Sequence, residues 1–355
     1  MKTLLRLLLK SQHQQSPSAL NQTEKGMTLI ELLIGTVMAF LIITPMLGFV
    51  VDMLNTDRRE QVKSNTEQDL QAAIDFIAQD LNQAIYIYDN DGIKAITTSN
   101  QLPTPTNGTP ILVFWKRQQV KNAVPLSANS PLGGKPSECK ITPGATSGID
   151  CNDTYVRSLV AYYQIKETAS GSIWCQPSGV DCPARIARYE IKEGVKNPYA
   201  TGAIRPYYTD ADIVGRDSLK GDTAFNPEFN FSEPTKKVTI TAKLPDVKSE
   251  VLLNYIDHSL KAIDQEECKK ALGNPETQIG LAAAQPVAED ILKVTDPNTN
   301  SFYACVDTSR NLARVTLRGN SQRRLQPNDA KYNASKSAFF PTASVQVQGL
   351  GAIGK

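Results

Sequence analysis

The chain has 355 residues, with 38 basic against 36 acidic side chains and a net charge of +2. So even a balance excludes a strongly basic nucleic-acid binder and an acidic solvating tail. The length is ample for one large domain or two small ones beyond any single long helix.

Residues 1–26 carry Lys2, Arg6, Lys10 and Lys25 against the single acid Glu24. A basic segment beside a membrane span stays cytoplasmic. Its apolar stretch Leu4–Leu9 is too short and interrupted for a secretory h-region, and no small-residue cleavage box follows. Next come Lys25-Gly26-Met27-Thr28-Leu29-Ile30-Glu31 and then Leu32 to Val51, without one charged side chain. That run has the length of a bilayer helix. An isolated charge at the centre of such a helix costs roughly 2.5–3.5 kcal/mol and normally has a partner. Glu31 therefore requires a positive partner that the nearby sequence does not supply.

The segment Lys25-Gly26-Met27-Thr28-Leu29-Ile30-Glu31-Leu32-Leu33-Ile34 resembles the processing motif of type IV pilins and type II secretion pseudopilins. The resemblance implies a cut by prepilin peptidase between Gly26 and Met27, followed by methylation of the new amine on Met27. It also implies that Glu31 neutralises the amine of a neighbouring subunit during assembly. Met27 stands where phenylalanine is usual in the family. Such an ammonium, four residues before Glu31, would offset much of the carboxylate's desolvation. The partners implied are prepilin peptidase, other pilins or pseudopilins, and an inner-membrane assembly platform. The expected location is a single-pass inner-membrane protein, N-terminus cytoplasmic and head extracytoplasmic, later joined to a filament.

Beyond Asp52, apolar residues recur at Leu54, Val62, Leu70, Ile74, Ile77, Leu81 and Ile85, with Thr66 filling a gap. Steps of three, four or eight residues mark one helical face. The charged residues between them, Asp80 included, read as the solvated side. The spacing predicts a transmembrane helix over 27–51 continuing as an amphipathic helix over 52–88, about 90 Å in all at 1.5 Å per residue. Pro45 interrupts the first half and predicts a kink. The resemblance adds a second role for Pro45, a weak point where the helix melts as subunits leave the bilayer.

Residues 89–355 read as a strand-rich extracytoplasmic head. Ile111–Lys116, Arg157–Ile165, Arg185–Ile191, Lys237–Leu244, Val251–Ile256, Phe302–Val306 and Ala313–Leu317 are rich in β-branched or aromatic residues, as strands are. Pro-, Gly-, Asn- and Ser-rich loops separate them. A helix followed by strands predicts an α+β fold, with the helix packed on an antiparallel β-sheet head. The resemblance gives this the pilin lollipop form.

All six cysteines lie past residue 138. Neighbour pairing would join Cys139 to Cys151, Cys175 to Cys182 and Cys268 to Cys305, one of fifteen connectivities. Arg310, Arg314, Arg318, Arg323, Arg324 and Lys331 cluster with only Asp329 between them. The plain reading is a solvated strand and loop. The sharper one is an anion-binding surface centred on Arg318, Arg323 and Arg324 for an acidic polysaccharide, nucleic acid being the weaker candidate.

No catalytic residue, cofactor or metal is expected. His258, beside Asp257, is the lone histidine outside the leader and reads as an exposed or capped residue at a strand end. Gly349-Leu-Gly351-Ala-Ile-Gly354 matches a dinucleotide motif but has no room for the helix that must follow. Asp210 and Asp212 in a polar loop do not make a calcium site by themselves. The expectation is a large minor pilin or pseudopilin, a structural subunit of a type IV pilus-like or type II secretion-like filament. Within the family, the stretch from Asn311 to Asn320 is similar to cyanobacterial pseudopilins of polysaccharide secretion. Type II protein secretion, DNA uptake, adhesion, and a signal-anchored domain outside any filament stay open as alternatives.

Overall fold

The computed structural model describes Gly26 and residues 28–98, 100–126, 134–140, 146–179, 181–201, 206–222, 225, 248–277 and 284–350. The expected strand Lys237–Leu244 and the residue Met27 lie outside them. The chain forms two units, residues 1–58 and 59–355. Helix α1 runs from Leu29 to Asn82 and contributes to both.

The first unit is the apolar part of α1. Every residue from Thr28 to Gln61 is exposed. The helix continues through Pro45. Its threonines bond to the backbone, Thr36 Oγ1 to the Leu33 carbonyl at 2.9 Å and Thr44 Oγ1 to the Phe40 carbonyl at 2.8 Å. Such bonds re-satisfy hydroxyls that a dry environment would otherwise leave bare.

In the second unit α1 buries Thr66, Leu70, Ala73, Ile74, Ile77, Asp80 and Leu81. This is the expected stripe from Thr66 to Leu81, but the helix ends earlier than the spacing predicts. Gln83 N–H turns back to the Asp80 carbonyl at 3.1 Å, and Ala84–Ile87 become strand β1. The local sequence Ala-Ile-Tyr-Ile-Tyr alternates β-branched and aromatic side chains, which favour a pleated surface over a helix. Helix α2 (Asn90–Thr98) follows.

Strands β2 (Gly108–Pro125), β3 (Cys151–Lys166), β4 (Ala184–Lys192) and β5 (Ser249–Ile256) join β1 in an antiparallel sheet of order β1-β2-β3-β4-β5. Helix α3 (Glu267–Ala271) and the two-residue strands β6 (Glu276–Thr277) and β7 (Gln285–Pro286) follow, then the helical turn α4 (Glu289–Leu292). A second antiparallel sheet has the order β11-β10-β9-β8. It comprises β8 (Lys293–Thr295), β9 (Phe302–Asp307), β10 (Leu312–Arg318) and β11 (Thr342–Gln348), with the turn α5 (Gln322–Leu325) between the last two. The α+β class is as expected, but among the described residues the head has two main sheets and the two-stranded β6–β7 ribbon where one sheet was predicted. An isolated bridge, Ile256 to Gly319, joins the two main sheets, and the Ala84 carbonyl of β1 accepts from Leu350 N–H and Asn311 Nδ2 beside the second.

The strand periodicity explains the core. Leu112 and Phe114 of β2, Val160 and Tyr162 of β3 and Ile186 of β4 face Ile74, Ile77 and Leu81 of α1, together with Phe302, Val306, Val315 and Leu317 of the second sheet. The alternate residues Val113, Trp115, Leu159, Tyr163 and Ile191 pack with Ile93 and Ile96 of α2 on the opposite face. Burial on both faces gives β2 and β3 near-continuous apolar runs rather than alternating ones.

The cysteines pair as neighbours: Cys139 with Cys151, Cys175 with Cys182 and Cys268 with Cys305. The last ties α3 to β9.

Candidate assembly segment

Thr28 precedes α1 and Glu31 is its third residue, a Thr-x-x-Glu arrangement suited to starting a helix. The N–H groups of Glu31 and Leu32 donate to the Thr28 carbonyl at 3.0 and 3.2 Å. The Thr28 hydroxyl lies 3.5 Å from Glu31 Oε2. A carboxylate in the first turn is also favoured by the helix dipole. These contacts position Glu31 without neutralising it: among the described residues it forms no ion pair. Gly26 is exposed.

Around Glu31 the helix is apolar on all sides. Leu29, Phe40 and Phe49 are 88%, 74% and 71% exposed. Helices that are apolar all round occur inside large cores or bilayers, and an exposed apolar surface this large marks a membrane or protein contact. By length and composition the helix can cross a membrane. Such a segment can insert in lipid or line up with like helices, and in either setting an unpaired carboxylate selects a cation.

Family models, curated proteins and solved structures were all compared with the chain, and none matches.

The arginines of the sharper reading, Arg318, Arg323 and Arg324, have partners within the head. Arg318 Nε pairs with Asp257 Oδ2 at 2.8 Å, and its Nη2 donates to the Ser259 and Thr299 carbonyls at 3.1 and 3.2 Å. Arg323 is fully buried, with Nη2 donating to the Pro177 carbonyl at 2.6 Å. Arg324 Nη2 meets Asp69 Oδ2 at 2.6 Å, and its guanidinium lies 4.5 Å from the Tyr255 ring centroid. Arg310 pairs with Asp307 and the Leu272 carbonyl. These four cations are engaged within the head. The counter-charges come from 61 and 255 residues away in sequence for Arg318 and Arg324, so a local charge window cannot find them.

His258 is likewise buried rather than exposed. Burial lowers its pKa from 6.5, aided by the Lys166 and Arg323 charges, and outweighs the opposing pull of Asp257 and Asp181. Asp210 pairs with Lys220, and Asp212 accepts from Thr209.

Sequence reasoning also missed a buried ionic network. Asp80 accepts from Arg188 Nε at 2.7 Å, Tyr162 OH at 2.7 Å and Lys116 Nζ at 3.1 Å. Glu190 accepts from Arg188 Nη2 at 2.6 Å and lies 3.3 Å from Lys116 Nζ. Two acids and two bases balance under α1. Burial pushes the Asp80 carboxyl up, but the Arg188 hydrogen bond, the Lys116 and Arg188 charges and the Tyr162 hydroxyl together hold it below its ordinary value. Glu190 is lowered in the same way against its own burial, chiefly by the Arg188 and Lys116 charges. The signal was available: Asp80 lies three residues after Ile77, on the apolar stripe.

Proposed function

We propose that the chain is a minor pilin or pseudopilin, a structural subunit rather than a catalyst. Prepilin peptidase cuts it after Gly26, and the Met27 amine then supplies the cation that Glu31 lacks. The observation that carries this reading is Glu31 itself. It is the lone ionisable side chain between Lys25 and Asp52, set in the first turn of an exposed apolar helix and without an ion-pair partner among the described residues. A membrane anchor needs no acid at that position, whereas a polymer of like helices gains from one that receives a neighbour's ammonium.

The head is consistent with a minor position, since a body of some 300 residues on every subunit would crowd a uniform filament. The three disulfides fit an oxidising, exported location. The assembly serves polysaccharide secretion or pilus-dependent motility. Arg318, Arg323 and Arg324 already have partners within the head, so the cargo reading rests on the Asn311–Asn320 likeness. Scoring a deletion strain for polysaccharide, protein and DNA transport separately assigns it.

The deciding measurement is the mass of the mature N-terminal peptide from membranes of a host with prepilin peptidase. The expected product begins at a methylated Met27. An intact 1–26 segment would leave a plain signal anchor as the function.

A further inference from the structure

The second sheet ends on β11, whose outer side meets the Ala84 carbonyl of β1 at Leu350 and is open from Thr342 to Gln348 among the described residues. Gly319 N–H donates to the Pro341 carbonyl at 2.9 Å and Gly349 N–H to the Asn311 carbonyl at 2.9 Å. Both fall in the β10–β11 register, in which Leu312 faces Gln348 and Arg318 faces Thr342. In an antiparallel ladder the bonded positions alternate. Ala343, Val345 and Val347 therefore direct their backbone groups at β10. Thr342, Ser344, Gln346 and Gln348 direct theirs away from it, where no backbone partner meets them among the described residues. The side chains of these four are exposed, whereas Val347 is buried and Ala343 and Val345 are half-buried.

Folded proteins guard such edges with charge, proline, bulges or brevity. Thr-Ala-Ser-Val-Gln-Val-Gln has no charged residue and no proline, and its register against β10 is unbroken. The other edges of the two main sheets are protected. Strand β1 has four residues, and its Ala84 carbonyl is taken by Asn311 Nδ2 and Leu350 N–H. Strand β5 carries Glu250 and pairs with β4 through two irregularities. Strand β8 is three residues long and begins with Lys293.

We infer that β11 is a strand-addition interface, and that its occupant is β11 of a second copy, antiparallel about a two-fold axis at Val345. The strand's self-complementarity selects this occupant. The axis sets Ser344 opposite Gln346 and Thr342 opposite Gln348 of the other copy, so the outward-facing backbone groups meet each other in bonded pairs. Val345 meets its own counterpart on the core side, with Ala343 across from Val347. No charge faces its like in this register, and hydroxyl and amide side chains pair on the outer face, as cross-strand neighbours do favourably. The contact is isologous and closes at two copies. It stands on the head alone and does not depend on the reading of the N-terminal segment.

The test uses the full chain in lipid vesicles, where α1 can also associate, so the cross-strand register and not the assembly size is the readout. Chains carrying Ser344→Cys and Gln346→Cys are mixed and oxidised, and the bonded peptides are mapped. The expected result is a disulfide between positions 344 and 346 of two copies, well above the level given by Ser170→Cys, an exposed site outside the second sheet. Ser344→Lys added to the Gln346→Cys chain, and Gln346→Lys added to the Ser344→Cys chain, should abolish it. Gln346→Pro removes an N–H that points away from β10, so in unsubstituted chains it should reduce dimer formation while leaving thermal unfolding of the head cooperative. A 344–346 bond no more frequent than the control overturns the inference. So does a bond that survives the lysines, or bonding of position 344 only to a different protein.

Discussion

Asp80 accepts hydrogen bonds from three donors in a nearly dry site, and two of the donors are cations. Replacing both signs of charge with apolar residues can leave stability unchanged, but removing one side strands the other. Asp80→Asn leaves Arg188 and Lys116 with Glu190 and, for Arg188, the exposed Glu250 at 3.9 Å. The expected loss is about 3–5 kcal/mol in urea unfolding, whereas Asp75→Asn, at an exposed position on the same helix, should be close to silent. The titration has a definite sign. A carboxyl held below its unfolded value stabilises the fold above the ordinary carboxylate range, and that contribution is lost as the pH falls through the folded value. Asp80 and Glu190 therefore stabilise the head above the ordinary carboxylate range and begin to lose that contribution as the pH falls into it. His258 acts earlier: the unfolded chain takes up a proton near pH 6.5, while the buried imidazole resists until lower pH. Stability should fall progressively below that point. His258→Gln, neutral throughout, should flatten the dependence of melting temperature on pH between about 7 and 5.

At the scale of elements, α1 performs two tasks with two compositions. Its first half has no polar face and is exposed throughout. Its second half presents one stripe, spaced by three and four residues, to the inner faces of both sheets. Ile77 is fully buried at the middle of that stripe. Truncation removes apolar contacts and leaves a cavity that rigid strands close poorly, so Ile77→Ala should cost about 2–5 kcal/mol in denaturant unfolding. Leu41→Ala, equally apolar but exposed, should leave head stability unchanged. If the two substitutions cost the same, the division of α1 into an exposed and a packed half is wrong.

For the molecule as a whole, the buried core begins at Thr66 and the second unit at Arg59. Every ion pair of the buried network and every disulfide lies within that second unit. A chain beginning at Arg59 should therefore be soluble without detergent, unfold cooperatively on heating and fail to sediment with lipid vesicles. The full chain should sediment with them. A fragment that is aggregated or without a thermal transition would mean that residues 28–58 contribute to folding the head.

What the sequence determined by itself was whatever depends on neighbours along the chain. The uncharged run after Glu31, the three–four spacing of Leu70, Ile74, Ile77 and Leu81, and the β-branched cores of most strands are local patterns, and each dictates an element through its own periodicity. Cysteines seven to 37 residues apart also pair with their sequence neighbours, as short loops close at lower entropic cost. The tertiary structure alone decided whatever depends on groups distant in sequence. Arg318 reads as a surface charge until Asp257 is brought to it, and Asp80 reads as solvated until Arg188, 108 residues on, closes over it. The end of α1 at Asn82 was fixed by β2, whose pairing with Ala84–Ile87 competes with another helical turn. The edge of β11 from Thr342 to Gln348 is open among the described residues because the fold places that strand last in its sheet. Periodicity is written in the chain, whereas the burial of a charge or the freedom of an edge depends on which remote segments arrive beside it.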